Sequence, residues 1–189
     1  MKKRIWELDA LRGLCILGVV AVHLIYDLVD MYRLGQWDYP QWFAFIKGWG
    51  GVIFLLLSGV CVTLGSHSLR RGILVFGCGM VCTLVTYVMS RVGMLSWFAV
   101  IRFGVLHCLG ACMLLWPLAK KLPTWLLAVL GVGIIGLGAW FDTFYVGSTW
   151  LFPFGLKHPF FSSGDYFPLA PNLGWFLLGA VMGRIVYRK

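Results

Sequence analysis

Windows of about 20 predominantly apolar residues, the length that spans a hydrocarbon core of about 30 Å, recur about six times in this chain, and no other feature restricts its folding as much. They lie near 10–29, 47–65, 72–90, 100–118, 124–141 and 173–188. The composition agrees: 60% of the 189 residues are apolar and only 12% are charged. A soluble domain carries about twice that charge, so this chain needs lipid as its solvent, which excludes disordered, collagen-like and nucleic-acid-binding classes. The opening Met1-Lys2-Lys3-Arg4 followed by an apolar run has the outline of a signal peptide. That run, however, contains Arg12, His23 and Asp27 and has no small-x-small cleavage site, which makes it the first span. The expected fold is an all-α integral membrane protein, one bundle of about six transmembrane helices in a single domain over 1–189. There is neither an internal repeat nor a linker.

An even number of spans puts both ends on one side. With the net charge of +9, the useful question is which side the cations occupy. Lys2, Lys3, Arg4, Arg12, Arg70, Arg71, Lys120, Lys121, Arg184, Arg188 and Lys189 fall on the face of the termini, and Arg33, Lys47, Arg91, Arg102 and Lys157 at or near the other. The positive-inside rule then places both termini in the cytoplasm. The external connections, 30–46, 91–99 and 142–172, are rich in aromatic residues. Trp37, Tyr39, Trp42, Trp97 and Trp150 serve there either as an interfacial belt or as a surface that reads a bulky ligand. The segment 142–172 is long enough to contain a short interfacial helix. Gly48, Gly50, Gly51, Gly59, Gly77, Gly79, Gly131, Gly133, Gly136 and Gly138 sit in or at the ends of spans, as helix-packing residues do. Cys15, Cys61, Cys78, Cys82, Cys108 and Cys112 all lie in apolar stretches, which reads as small apolar residues rather than a disulfide framework.

Ionisable side chains inside spans are costly and mark sites. At 100° per residue, the 11 steps from Arg12 to His23 end about 20° past three full turns, so the two share a helix face about 16 Å apart. Asp27, one turn further on, is placed to accept a hydrogen bond from the His23 ring and raise the basicity of its other nitrogen. Arg102 and His107 enter the fourth span from outside, with His107 at a depth similar to that of His23. Two other readings of the histidines are interhelical hydrogen bonds and ligation of a haem or metal with help from Cys78/Cys82 and Cys108/Cys112. His67, beside Arg70 and Arg71, reads as a solvated loop residue. Positive charge at the cytoplasmic mouth suits a phosphate-bearing ligand, and a base in the outer third suits deprotonation of an amine or hydroxyl. A donor with phosphates at one end and a reactive group on a long thin arm connects the two levels. Acyl-coenzyme A has that shape.

The segment Arg4-Ile5-Trp6-Glu7-Leu8-Asp9-Ala10-Leu11-Arg12-Gly13, with His23, Tyr26 and Asp27 after it, resembles the opening of the heparan-alpha-glucosaminide N-acetyltransferase catalytic-domain family in its small bacterial form. Phe54-Leu55-Leu56-Leu57-Ser58-Gly59, the stretch Ile101–Gly110 containing Arg102 and His107, and the stretch Asp165–Gly174 continue the likeness in order. Leu-Asp-x-x-Arg-Gly also resembles the larger superfamily of transmembrane acyltransferases that modify envelope polysaccharides. The resemblance implies a multi-pass enzyme of the bacterial cytoplasmic (inner) membrane. Its partners would be acetyl-CoA or another acyl-CoA as co-substrate, a carbohydrate acceptor on the external side and the lipid bilayer, with no metal and no nucleic acid. It also implies N- or O-acetylation of the acceptor. Arg12 would stand at the donor end and His23 at the catalytic level. In the resulting scheme His23, oriented by Asp27, is the general base, or alternatively the acyl-carrying nucleophile. His107 or Tyr26 stabilises the oxyanion. Arg12, Arg70 and Arg71 hold coenzyme A phosphates, although ordinary positive-inside topology also accounts for Arg70 and Arg71. Arg102, Asp165 and Tyr166 bind the acceptor, or Asp165 pairs with Arg102. Six spans leave open whether a homodimer completes the pore. A transporter without acyl transfer is the alternative class, and a purely structural membrane subunit a third.

Overall fold

A computed structural model describes residues 5–26, 28, 29 and 41–187. It is all-α, with helices α1 (Trp6–Tyr26), α2 (Gln41–Leu64), α3 (Ser68–Arg91), α4 (Val105–Ala119), α5 (Thr124–Phe141) and α6 (Leu169–Val186). Among the described residues there is no strand, only an isolated parallel bridge between Phe103 and Tyr166.

The roughly six spans expected from hydropathy become four long apolar helices and two with shorter apolar stretches. α1 as far as Ile25, α3, α5 and α6 are long and apolar enough to cross a bilayer. The apolar part of α2 (Gly48–Leu64) and the whole of α4 are shorter. At about 1.5 Å per residue, the 15 residues of α4 rise only about 22 Å. The expected span over 100–118 turns helical only at Val105, because residues 100–103 run extended beside 163–167. The Arg102 N–H donates to Ser163 Oγ at 3.0 Å, Gly164 N–H to the Val100 carbonyl at 3.2 Å and Phe167 N–H to the Phe103 carbonyl at 2.9 Å. Those bonds satisfy the backbone that a helix would otherwise satisfy internally. α6 begins before residue 173, but Ala170 is non-helical (φ −98°, ψ 122°), as expected of the residue before Pro171. The long segment after α5 contains no interfacial helix, only one 3₁₀ turn over Phe152–Phe154.

α6 is sandwiched between α2 and α5, α3 pairs with α4, and α4 closes the bundle against α6 and α2. Leu55, Leu127, Phe176, Cys108 and Cys112 are fully buried where these helices meet. α1 packs mainly on α2 and exposes Leu14, Leu17 and Val20, a surface that suits lipid. The tightest seam is α2 against α6. A Cβ on Gly59 would strike the Phe176 carbonyl, and one on Gly179 the Leu56 backbone, so only glycine lets these helices approach. The packing role expected of all the span glycines therefore divides. Gly59, Gly79, Gly131 and Gly138 lie in tight contacts, whereas Gly77, Gly133 and Gly136 face open space. All six cysteines are free.

Candidate functional site: a cationic cavity beneath a histidine and carboxylate cluster

A cavity of about 270 Å³ opens between α1, α2, α3 and α4. Arg12 of α1 and Arg71 of α3 line one end, beside Ser66 in the turn that joins α2 to α3. Arg71 Nη2 donates to the Ser66 carbonyl at 2.8 Å, which anchors the guanidinium at the rim. From there Cys61, Ser58 and Phe54 of α2, with Met113 and Leu109 of α4, form a mostly apolar wall. The rise from Gly65 to Phe54 gives this crevice a length of about 16 Å. It is cationic at one end and mostly apolar along its length, and on α4 it reaches Leu109 but not His107. The sequence placed Arg12, Arg70 and Arg71 together, but only Arg12 and Arg71 line the cavity. Arg70 is exposed outside it, and His67, with φ 64°, is an exposed residue of the turn.

At the other end, His107 is 2% exposed and held on every side. Its Nδ1 accepts the Gly104 N–H at 3.2 Å, the reciprocal half of a helix-capping arrangement at the start of α4. That acceptor role puts the ring proton on Nε2, which donates to Thr83 Oγ1 at 3.2 Å. Phe76 meets the ring edge-on and Phe103 lies tilted against it, each with centroids 5.5 Å away. Gly79 supplies the remaining wall, because a Cβ there would come within 2.9 Å of Nδ1. Both ring nitrogens are therefore engaged, and the geometry gives His107 the work of fixing the α3–α4 corner.

Asp165 caps the same helix from across the chain. Its Oδ2 accepts the Val105 N–H at 2.8 Å, taking the place of the side chain that Gly104 lacks, and a Cβ on Gly104 would collide with it. Burial pushes the Asp165 carboxyl above its ordinary pKa, while the Val105 N–H and the nearby imidazoles of His23 and His107 pull it partly back. His23 and His107 thus each stand within electrostatic reach of Asp165. His23 itself is exposed on α1, on the Arg12 face and beyond the residues that line the cavity. Asp27 lies outside the described residues, as does the side chain of Tyr26.

The raised value has a consequence for stability. Between the ordinary and the raised pKa the folded protein holds the proton more tightly than the unfolded chain, so stability falls as pH rises through that interval. Asp165→Asn keeps an acceptor for Val105 and removes the charge. It is expected to flatten this decline and leave the melting temperature at pH 7 equal to or above wild type. A drop at pH 7 would mean that attraction to the imidazoles outweighs the cost of burial.

The alternative reading of Asp165, a pair with Arg102, is not what forms. The carboxylate is turned towards Val105, and the Arg102 guanidinium stacks over Trp97 and Phe161, 5.2 and 5.6 Å from their centroids. Tyr166 donates its hydroxyl to the Phe152 carbonyl at 2.7 Å, and burial pushes its pKa up, so it serves as a brace. Sequence reasoning missed Thr83, Ser163 and the capping role of Asp165. Thr83 and Thr86, at i, i+3 on an apolar helix, were the available signal for a polar face; Ser163 offered none. Among the described residues, no three His, Cys, Asp or Glu side chains gather as a metal site.

Residues 4–189 match the family described as heparan-alpha-glucosaminide N-acetyltransferase, catalytic. No curated protein matches the chain, and no solved structure matches it. A family match over nearly every residue, on a bundle of apolar helices with a cationic cavity, places this protein in the heparan-alpha-glucosaminide N-acetyltransferase catalytic-domain family, a family of membrane acetyltransferases.

Proposed function

We propose that the protein takes an acetyl group from cytoplasmic acetyl-CoA and delivers it to an amine or hydroxyl of a carbohydrate on the far side of the bacterial inner membrane. Both termini are then cytoplasmic. The observation that carries this reading is the shape and polarity of the cavity: Arg12 and Arg71 at one end and an apolar crevice about 16 Å long. Phosphates pair with the guanidinium groups, the pantetheine arm fills the apolar wall, and the thioester reaches the level of His23. His23, oriented by Asp27 or by the field of Asp165, takes the proton from the acceptor as it attacks the thioester carbonyl. The carbon–sulfur bond then breaks, and coenzyme A leaves as the thiol. His107 acts through position, holding the start of α4 against α3; its Nε2–H turns to the oxyanion only by giving up Thr83 Oγ1, and the Tyr26 hydroxyl is the other donor for that role.

The test is acetyl-CoA binding and hydrolysis by the detergent-purified protein. Replacing both Arg12 and Arg71 by Gln is expected to weaken binding by about 10²- to 10⁴-fold, because each charge-assisted contact contributes about 1.5–3 kcal/mol and the two together about 3–6 kcal/mol. The loss should appear in KM far more than in kcat. The same substitution at Arg70 separates a phosphate contact at the mouth from ordinary topology. Absence of acetyl-CoA binding to wild type overturns the reading.

A further inference from the structure

The ends of four apolar helices meet on one face of the bundle: α3 stops at Arg91, α4 starts at Val105, α5 stops at Phe141 and α6 starts at Leu169. The connections just beyond them fall in the headgroup layer, which is about 5–7 Å deep on each side of a bilayer. Phe98, Trp150 and Phe160 in these connections are 72%, 81% and 89% exposed, which suits that layer better than open water. A second pocket, of about 50 Å³, opens among them, lined by Arg102, Ser148, Thr149, His158 and the rings of Phe160 and Phe161. We infer that this pocket binds the phosphate of an anionic membrane phospholipid, phosphatidylglycerol being the simplest. The inference is independent of acetyl transfer and requires only that the helices span a bilayer.

Successive residues of an extended segment face opposite ways, so Phe103 turns towards His107 and Arg102 turns away from it into the pocket. Among the described residues the Arg102 guanidinium makes no ion pair and no hydrogen bond, and the Trp97 and Phe161 rings hold it in place. The nearby acids are engaged elsewhere: Asp165 caps α4, and Asp142 pairs with Lys157 at 2.7 Å. His158 Nδ1 accepts the Phe160 N–H at 3.2 Å, which puts the ring proton on Nε2 as a donor. Ser148 Oγ accepts the Trp150 N–H at 3.3 Å and keeps its own proton to give, as does the Thr149 hydroxyl. A half-buried cation on rings beside three neutral donors is a fork for the oxygens of a phosphodiester. No carboxylate lines the pocket to take up the ammonium of a zwitterionic headgroup, which favours a headgroup without a cation. The volume is on the scale of one phosphate, so the glycerol and the acyl chains lie outside, past the exposed Phe160 ring at the rim. Depth, an uncompensated cation and an apolar rim thus point to one ligand, which has its charge in the headgroup layer and its bulk in the hydrocarbon.

The experiment is titration of the delipidated full chain in detergent with phosphatidylglycerol, and with phosphatidylcholine as the zwitterionic control, counting bound lipids by native mass spectrometry. Wild type is expected to bind one phosphatidylglycerol about tenfold or more tighter than phosphatidylcholine, a preference that weakens with salt. Arg102→Gln should abolish that site. Because Arg102 also bridges two rings, the pair Ser148→Ala with Thr149→Val removes donors without touching the stack and should weaken the site by several-fold. This pair decides the matter if Arg102→Gln fails to fold. Lys121→Gln, an exposed cation in the turn between α4 and α5 on the opposite face, should leave the site unchanged. Equal binding of the two lipids by wild type, or a preference that survives both pocket variants, overturns the inference. A free phosphate ion is the other source of such an anion. Displacement of the tightest phosphatidylglycerol by millimolar inorganic phosphate, at constant ionic strength, would assign the pocket to that ion and overturn the lipid assignment.

Discussion

Replacing His23 by alanine is expected to lower acetyl transfer by about 10²- to 10⁴-fold, the usual contribution of a positioned general base, while acetyl-CoA binds as tightly as before. The two effects separate because of placement. His23 stands three turns above Arg12 on one face of α1 and does not line the cavity that would hold the donor. At 1.36 kcal/mol per decade the loss corresponds to about 3–5 kcal/mol of transition-state stabilisation. Steady-state turnover and equilibrium binding, measured on the same purified variant, check both halves. If an acyl-His23 intermediate forms instead, labelled acyl-protein will accumulate in wild type without acceptor and be absent from the variant. Turnover within about threefold of wild type would remove His23 from the chemical step and leave Asp27 and Asp165 as the acids still to be tested there.

The second large effect concerns the scaffold. Gly179→Leu is expected to abolish the folded state in detergent, because a Cβ at that position would lie 2.7 Å from the Leu56 carbonyl carbon, and neither element is a flexible side chain that can move aside. Overpacking of a core usually costs about 1–3 kcal/mol, and a backbone-to-backbone clash belongs at or above the top of that range. Gly59→Leu, directed at the Phe176 carbonyl and the Ala180 nitrogen, should behave the same way. Gly133→Leu on α5 is the control. Nothing lies within 4 Å of a Cβ there, so its melting temperature and elution profile should match wild type. A folded Gly179→Leu protein would show that α2 and α6 separate easily, contrary to their burial of Leu55 and Phe176.

Much of the molecule was readable before any coordinates. Hydropathy located every α-helix among the described residues, and the bounds of α5 were read without error, because Pro123 and the polar Asp142-Thr143 delimit an uninterrupted apolar run. The helical repeat put Arg12 and His23 on one face because both lie within a single regular element, where 100° per residue is enough to relate them. The likeness to the acetyltransferase family came from short strings of residues in order, and such strings survive without knowledge of their packing.

What the chain alone did not reveal are the places where two distant segments meet. The late start of α4 depends on hydrogen bonds from residues 163–167, about 60 positions away, and hydropathy carries no record of them. Asp165 became a helix cap, and Arg102 its own stacked cation, because Gly104 has no side chain and Trp97 and Phe161 offer two faces. A glycine that packs and one that faces open space look identical in a sequence; only the neighbour's backbone tells Gly179 from Gly133. Sequence alone determined the solvent, the helices and the chemistry-bearing residue types, since these follow from apolarity and periodicity along one chain. Tertiary structure decided which charges share a cavity and which are engaged, because in a bundle each buried polar group takes the nearest partner that closes its hydrogen bonds, and proximity is set by helix packing rather than by order in the chain.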